Sequence, residues 1–325
     1  MSTTALAERL IRVRVARRTK AAEGIACFEL EPLAQALQPY EPGAHIDVQV
    51  PGGPIRQYSL CGPATATAGY QIAVLRDPAS RGGSAWLHEH VRLGSTLEIG
   101  PPRNHFPLRE DAVRSLLFAG GIGITPLIAM ADRLAARGAE FTLHYATRSA
   151  ARTAFAQRLR EGPCAERVHF HHDDGDAAQK LDIAATLAAP QPGTHVYVCG
   201  PSGFLDSVRS TARGQGWPDA QVHFEYFAGQ AVHDARDRGF DLVLHKSGRT
   251  IRVQADQTCV EALAAAGINV PTSCEQGVCG TCLTPVRAGE VEHKDLFLSP
   301  EEQAAHDQFL PCCSRAKSAR LVIDL

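Results

Sequence analysis

The chain has 325 residues, of which 44% are hydrophobic, and its 33 basic residues nearly balance 35 acidic ones, for a formal net charge of −2. At about 100–200 residues per domain, this length predicts two or three domains. The near-neutral charge argues against a nucleic-acid-binding protein and against intrinsic disorder, since the first usually carries a basic excess and the second few apolar residues.

No segment predicts a membrane association. The longest uncharged apolar stretch, residues 115–130, spans about 16 residues and is broken by glycine and proline, whereas a transmembrane helix needs about 20. Glu8, Arg9 and Arg12 interrupt any signal-peptide core. We therefore expect a cytoplasmic protein.

Residues 10–105 contain short strands and one helix. Polar and apolar side chains alternate over residues 43–50 and 70–75, which predicts strands, whereas residues 83–90 follow a helical period. This pattern favours a small antiparallel β-barrel.

Two motifs in this region suit a ligand with a phosphate and an aromatic ring. On the strand Arg56-Gln-Tyr58-Ser59, arginine can bind a phosphate, tyrosine can lie along a ring and serine can reach a ring nitrogen. Gly82 and Gly83 precede the helix, where exposed N–H groups bind anions and glycines let a phosphate come close. A surface strand with an ion pair is the alternative for the first motif taken alone.

The middle of the chain alternates strands with helices, which predicts a parallel sheet that binds its ligand at the carboxyl ends of the strands. Residues 116–119 form a strand, and a helix follows over residues 127–136 with Thr125 as N-cap and Pro126 at the first helical position. Gly121 and Gly123 match only part of the dinucleotide motif G-x-G-x-x-G, so a plain strand–helix turn is an equal alternative. Further strands are predicted over residues 141–147 and 195–198.

The cysteines of the C-terminal region have a distinctive spacing. Cys274, Cys279 and Cys282 form C-x4-C-x2-C, and Cys312 follows after 29 intervening residues, which is the plant-type [2Fe–2S] pattern. A structural zinc site is the alternative, although zinc sites favour paired cysteines. We favour Cys312 over its neighbour Cys313 as the fourth ligand. A hairpin over residues 241–253 and a capped helix from Thr258 complete a β-grasp ferredoxin pattern.

In this order, the motifs resemble those of the ferredoxin–NADP reductase superfamily. Within it, the chain resembles the phthalate dioxygenase reductase family and the reductase components of vanillate demethylase and related Rieske oxygenases. The resemblance implies a multidomain protein with an antiparallel β-barrel flavin domain, an α/β parallel-sheet NAD domain and a β-grasp ferredoxin domain. We place an FMN-binding domain at residues 1–108, the NAD-binding domain at 109–228, a linker at 229–237 and the plant-type [2Fe–2S] domain at 238–325.

The resemblance also assigns site residues. It implies that FMN is held by residues of the first domain: Arg56, Gln57, Tyr58, Ser59, Ala73, Val74, Leu75, Gly82, Gly83 and Ser84. It implies that the nicotinamide nucleotide is bound through Gly121, Gly123, Thr125 and Gly200. The residues expected around the reacting rings, and therefore assigned as catalytic, are Ser59, Thr125, Cys199 and Glu225. The cluster ligands are Cys274, Cys279, Cys282 and Cys312.

The choice between NADH and NADPH stays open in one respect. NAD enzymes often carry an acid at the end of the second strand of the sheet, but here Arg148 stands there and could meet the 2′-phosphate of NADPH. Asp173 or Asp174 could serve the ribose of NADH instead. NADH is the usual donor of the family, and we expect it here.

The resulting prediction is an electron-transfer enzyme that takes electrons from NADH through FMN to a [2Fe–2S] cluster. Its partner would be a separate Rieske non-haem iron oxygenase component, because the sequence shows neither a Rieske Cys-x-His pair nor an iron-binding facial triad. Another acceptor, such as a cytochrome, is the alternative.

Overall fold

The computed structural model describes residues 10–51, 55–63, 69–78, 82–227, 236–272, 275, 277–278 and 280–325. The chain divides into two compact units, and we describe each by itself: Leu10–Phe227, and a C-terminal unit from residue 236 onward among the described residues. Within the described ranges, no helix has the length and apolar character to cross a membrane.

The first unit begins with an antiparallel sheet. Its strands are β1 (Ile11–Ala22), β2 (Ile25–Pro32), β3 (Ala44–Gln49), β4 (Ile55–Ser59), β5 (Tyr70–Leu75), β6 (Thr96–Ile99) and β7 (Arg103–Asn104), and helix α1 spans Gly83–His90. The strands lie in the order β4-β3-β6-β1-β2-β5, with β7 beside β3. An antiparallel bridge between Leu60 and Ile72 joins the two ends of this order. Alternate residues of β1, such as Val13 and Val15, are fully buried and form the core inside the sheet.

A parallel sheet follows in the same unit. Its strands are β8 (Arg114–Gly120), β9 (Glu140–Thr147), β10 (Val168–His172), β11 (Thr194–Gly200) and β12 (Val222–Tyr226), in the order β10-β9-β8-β11-β12. Its helices are α2 (Ile124–Ala136), α3 (Ala156–Glu161), α4 (Ile183–Thr186) and α5 (Ser202–Gly214). The predicted parallel sheet is confirmed, whereas the predicted boundary at residue 108 stays a prediction.

The start of helix α2 differs from its prediction. A short 3₁₀ turn, Gly121–Gly123, follows β8 directly, and the helix begins at Ile124 with Gly123 as its N-cap. Thr125 is therefore inside the helix, where its hydroxyl donates to the Ile122 carbonyl at 3.0 Å. Pro126 still lies in the first turn, where no intrahelical N–H bond is lost. The prediction was wrong because the turn after β8 packs against Cys199 and Gly200 at the end of β11. This contact joins residues that are distant in sequence.

The C-terminal unit has the predicted hairpin and capped helix. Its elements are β13 (Phe240–Leu244), β14 (Thr250–Val253), α6 (Cys259–Ala265), β15 (Thr284–Ala288), β16 (Val291–Glu292), α7 (Pro300–Ala305), β17 (Gln308–Phe309), β18 (Arg315–Ala316) and β19 (Arg320–Ile323). The main sheet has the order β14-β13-β19-β15-β17, with β13 parallel to β19. Thr258 and Glu261 form the capping box at the start of α6.

We predict that Gly123→Ala destabilises the first unit by about 1–3 kcal/mol, the usual effect of overpacking. A Cβ atom there would lie 2.1 Å from the Cys199 carbonyl oxygen and 2.5 Å from the Gly200 nitrogen, and neither is a side-chain atom that could rotate away. Gly203→Ala is the control, since its Cβ would meet no atom within 4 Å. Thermal unfolding measured by circular dichroism checks this, and equal midpoints for the two variants would contradict it.

Candidate functional site

The two motifs of the antiparallel sheet meet in the structure. Arg56, on β4, crosses to the start of α1, where a Cβ atom at Gly83 would lie 2.6 Å from the arginine Cγ. Gly82 has a φ of +100°, which favours glycine, and no atom lies within 4 Å of its would-be Cβ. The guanidinium-bearing side chain and the first N–H groups of the helix therefore share one place, which suits a phosphate.

The neighbouring residues of this site are held by hydrogen bonds. Ser84 accepts a bond from the backbone N–H of Asp77 at 3.2 Å. Gln57 lies 3.2 Å from His45, and burial raises the pKa of Tyr58. On β5, Ala73 and Val74 are buried, whereas Leu75 is exposed.

Two contributors to this region carry no recognisable sequence signal. His88 donates from Nε2 to the Val74 carbonyl at 2.8 Å and so ties α1 to β5. Arg158, on α3, donates to the Cys61 carbonyl at 2.9 Å and pairs with Asp132, which lies on α2. Arg158 therefore links the segment after β4 to the parallel sheet's helices, a contact between residues 97 positions apart.

The predicted nucleotide residues gather at one edge of the parallel sheet. A Cβ atom at Gly200 would lie 2.8 Å from the Gly120 Cα, so β8 and β11 approach closely where they end. Gly121 has a φ of +53° and open space beside it, and Thr125 is buried just beyond. This is the carboxyl edge where such sheets bind ligands.

Ser59, Cys199 and Glu225 lie together where the two sheets meet. The Ser59 hydroxyl lies 3.5 Å from Glu225 Oε2, and Cys199 is the register partner of Glu225 on the neighbouring strand. Desolvation of the Glu225 carboxyl group raises its pKa to about 8, against a smaller lowering by Ser59. Burial, together with Glu225, also raises the pKa of the Cys199 thiol. Three of the four residues predicted around the reacting rings thus form one cluster of uncharged groups at neutral pH.

The candidate residues for the nucleotide's adenosine end are also neighbours. The backbone N–H of Asp173 donates to the Thr147 carbonyl at 3.0 Å, and that of Asp174 to the Arg148 carbonyl at 3.3 Å. Arg148 is exposed at the end of β9. The acidic and basic candidates thus share one edge of the sheet.

In the C-terminal unit, Cys282 and Cys312 are buried and lie close together. Hydrogen bonds with Cys282 and, to a smaller extent, with Cys313 lower the pKa of Cys312 to about 4. A thiolate is the form that binds iron. Gly277 and Gly280 have φ values of +74° and +69°, as the predicted tight loop requires. Cys274 and Cys279 lie outside the described residues.

Cys313 lies beside this pair and hydrogen-bonds Cys312. Its sulfur lies 3.7 Å from the Leu310 carbonyl, and it packs against Gly277, whose would-be Cβ would be 2.5 Å away. The hydrogen bond to Cys312, and after it burial, raises the pKa of the Cys313 thiol. The choice of Cys312 over Cys313 as the fourth ligand stays a prediction, which the lowered pKa of Cys312 supports.

Two family models match the chain. Residues 242–317 match the 2Fe-2S iron-sulfur cluster binding domain, which decides for iron–sulfur over zinc. Residues 96–222 match the model described as dimethylamine monooxygenase subunit DmmA-like, N-terminal domain.

Relatives match nearly the whole chain. The chain is 55% identical over 289 residues to a vanillate O-demethylase oxidoreductase of Pseudomonas sp. (strain HR199). The aligned region covers 89% of this chain and 91% of that protein. A solved structure of phthalate dioxygenase reductase, described as modular for electron transfer from pyridine nucleotides to [2Fe–2S], has a TM-score of 0.78 and 39% identity over 98% of this chain and 99% of that one. The structure of an intact type IV self-sufficient cytochrome P450 monooxygenase has a TM-score of 0.82 and 41% sequence identity. The match covers 97% of this chain and 41% of the monooxygenase chain.

We predict that Glu225→Gln gains stability over the wild type as pH rises. The folded carboxyl group has a pKa of about 8, above its ordinary value of 4.5, so folding retains a proton that the unfolded chain releases. Wild-type stability therefore falls between these two values and levels off above them, by roughly 1–3 kcal/mol after allowing for partial solvent access. The variant lacks this loss. Urea unfolding at about pH 5 and pH 8.5 measures it, with the exposed Glu161→Gln as control. A constant difference between variant and wild type would contradict the raised pKa.

Proposed function

We propose a function from one premise: the chain belongs to the family of vanillate O-demethylase oxidoreductase and phthalate dioxygenase reductase. It is an oxidoreductase that passes electrons from NADH through FMN to a [2Fe–2S] cluster and on to a separate oxygenase component. The observation that carries this function is the presence, on one chain, of the Ser59–Glu225 junction and of the matched iron–sulfur domain.

When bound, FMN would supply the chemistry that converts the two-electron hydride of NADH into single electrons for the cluster. Arg56 and the N–H groups at Gly83 and Ser84 would bind its phosphate, since the arginine lies over the helix start. Tyr58, Gln57 and the β5 backbone would line the ring. We also infer that the antiparallel sheet closes into a barrel around this core, which the Leu60–Ile72 bridge supports.

On the nucleotide side, Gly121, Gly123 and Gly200 would let the cofactor approach the backbone, with Thr125 and Cys199 beside the nicotinamide. Glu225 would hold a proton at neutral pH, because its raised pKa of about 8 keeps the carboxyl group uncharged. It could then hydrogen-bond Ser59 without placing a negative charge beside electron-rich rings. Asp173 and Asp174 would bind the ribose of NADH; if Arg148 faced a 2′-phosphate instead, NADPH would serve.

The cluster would be held by Cys274, Cys279, Cys282 and Cys312. We propose a Rieske non-haem iron oxygenase as the acceptor. Plant-type clusters lie near about −400 mV and Rieske centres at about −150 mV or higher, so each electron would move downhill by about 6 kcal/mol. A haem protein is the second candidate acceptor, because the chain is similar to part of a self-sufficient cytochrome P450 monooxygenase.

We predict that Cys282→Ser and Cys312→Ser lose the cluster but keep NADH-driven flavin reduction, because each removes a ligand without touching the first unit. Cys313→Ser is the matched control and should keep its cluster. Iron content and visible absorption report the cluster, and anaerobic bleaching of the flavin reports the first step.

Two results would count against this order of centres. One is the loss of flavin reduction in a folded Cys282→Ser protein. The other is a cluster that survives in Cys312→Ser but not in Cys313→Ser.

We also predict that Arg56→Met weakens FMN binding by at least tenfold, since a charge-assisted hydrogen bond contributes about 1.5–3 kcal/mol. Arg14→Met removes an exposed arginine, paired with Glu31 at 2.9 Å, and should leave FMN affinity unchanged. Recovery of FMN fluorescence on dilution measures both. Equal affinities would show that Arg56 does not bind the phosphate.

A further inference from the structure

A buried acidic residue lies directly behind the cysteine loop of the C-terminal unit. The Asp295 side chain is fully shielded from solvent, and its Cα would lie 3.0 Å from a Cβ atom at Gly277, between Cys274 and Cys279 in sequence. The backbone N–H of Leu296 donates to the Gly277 carbonyl at 3.0 Å. The segment that carries Asp295 is thus packed against the cluster-binding loop.

The Asp295 carboxyl group accepts three hydrogen bonds from groups in the described part of the chain. Oδ1 accepts from the Ser314 hydroxyl at 3.0 Å and from His293 Nδ1 at 3.1 Å, and Oδ2 accepts from the Leu298 N–H at 3.0 Å. All three partners donate. A carboxylate that accepts two or three hydrogen bonds is stabilised in its charged form, even when it is buried.

Neighbouring groups do not cancel this charge. His293 Nε2 is buried and has no hydrogen-bond partner in the described part of the chain, so the ring bonds Asp295 through Nδ1 alone. The partly buried Lys294, next to Asp295 in sequence, lies 2.5 Å from another acid, Asp237, and the buried Arg315 lies 3.8 Å from the same acid.

We propose that Asp295 is a positioning residue whose carboxylate lowers the reduction potential of the [2Fe–2S] cluster. The hydrogen bond from the Ser314 hydroxyl partly offsets the negative charge of that carboxylate. Adding one electron to the cluster forms and breaks no bond but adds one negative charge, and a fixed negative charge behind the loop opposes it. Ser314 connects the segment that carries Asp295 to the cysteine ligands. Its hydroxyl accepts a hydrogen bond from the Lys294 N–H at 3.1 Å, and it follows Cys312 by two residues. A lower potential makes the cluster a stronger donor toward the oxygenase. This inference rests on the proposed function for the presence of the cluster.

The test is a redox titration of the full-length holoprotein, followed by the electron paramagnetic resonance of the reduced cluster. Asp295→Asn should raise the midpoint, making reduction at least tenfold more favourable, which is about 59 mV for one electron. Ser314→Ala keeps the charge but removes a hydrogen bond that disperses it, so its midpoint should fall. Asp256→Asn, an exposed acid on the same unit, is the control and should leave the midpoint unchanged.

Opposite shifts in the two variants separate this role from a merely structural one, in which loosening the loop would move both midpoints alike. An unchanged midpoint in cluster-bearing Asp295→Asn overturns the proposal. If that variant does not retain its cluster, Ser314→Ala decides alone: a lower midpoint supports the proposal, and an unchanged or higher one overturns it. Wild-type protein without iron would instead contradict the proposed function.

Discussion

The close approach of β8 and β11 at their carboxyl ends is the constraint on which the candidate site depends. Only glycine allows it, because a Cβ atom at Gly123 would lie 2.1 Å from the Cys199 carbonyl oxygen and one at Gly200 would lie 2.8 Å from the Gly120 Cα. Glu225, the register partner of Cys199 on β12, reaches Ser59 of the antiparallel sheet. At Gly121, where a Cβ atom would meet nothing within 4 Å, the same edge is open for a ligand.

The carboxyl groups of Glu225 and Asp295 differ in the hydrogen bonds that they make in the described part of the chain. Glu225 has one long bond, 3.5 Å from the Ser59 hydroxyl, and desolvation keeps it protonated at neutral pH. Asp295 accepts hydrogen bonds from three donors, which favour a charged carboxylate. In the proposed pathway, the first avoids a negative charge where electrons enter and the second adds one where they leave.

The sequence predicted much of the architecture because its signals are local. Strand alternation, the capping box at Thr258 and the cysteine spacing each depend on residues a few positions apart, and the structure confirms the parallel sheet and the C-terminal hairpin. The start of α2 was mispredicted, and Arg158 and Asp295 were missed, because each depends on contacts that only the fold creates. The roles assigned to the flavin and nucleotide residues stay predictions, although the structure brings Arg56 to Gly83 and Ser59 to Glu225.

Anaerobic stopped-flow spectroscopy of the full-length protein mixed with NADH tests the central claim most directly, namely that electrons enter as a pair and leave singly. The account predicts that flavin absorbance falls first and that cluster absorbance falls afterwards, at a rate that does not depend on NADH concentration. Bleaching of the cluster ahead of the flavin, or no bleaching of either centre, would contradict it.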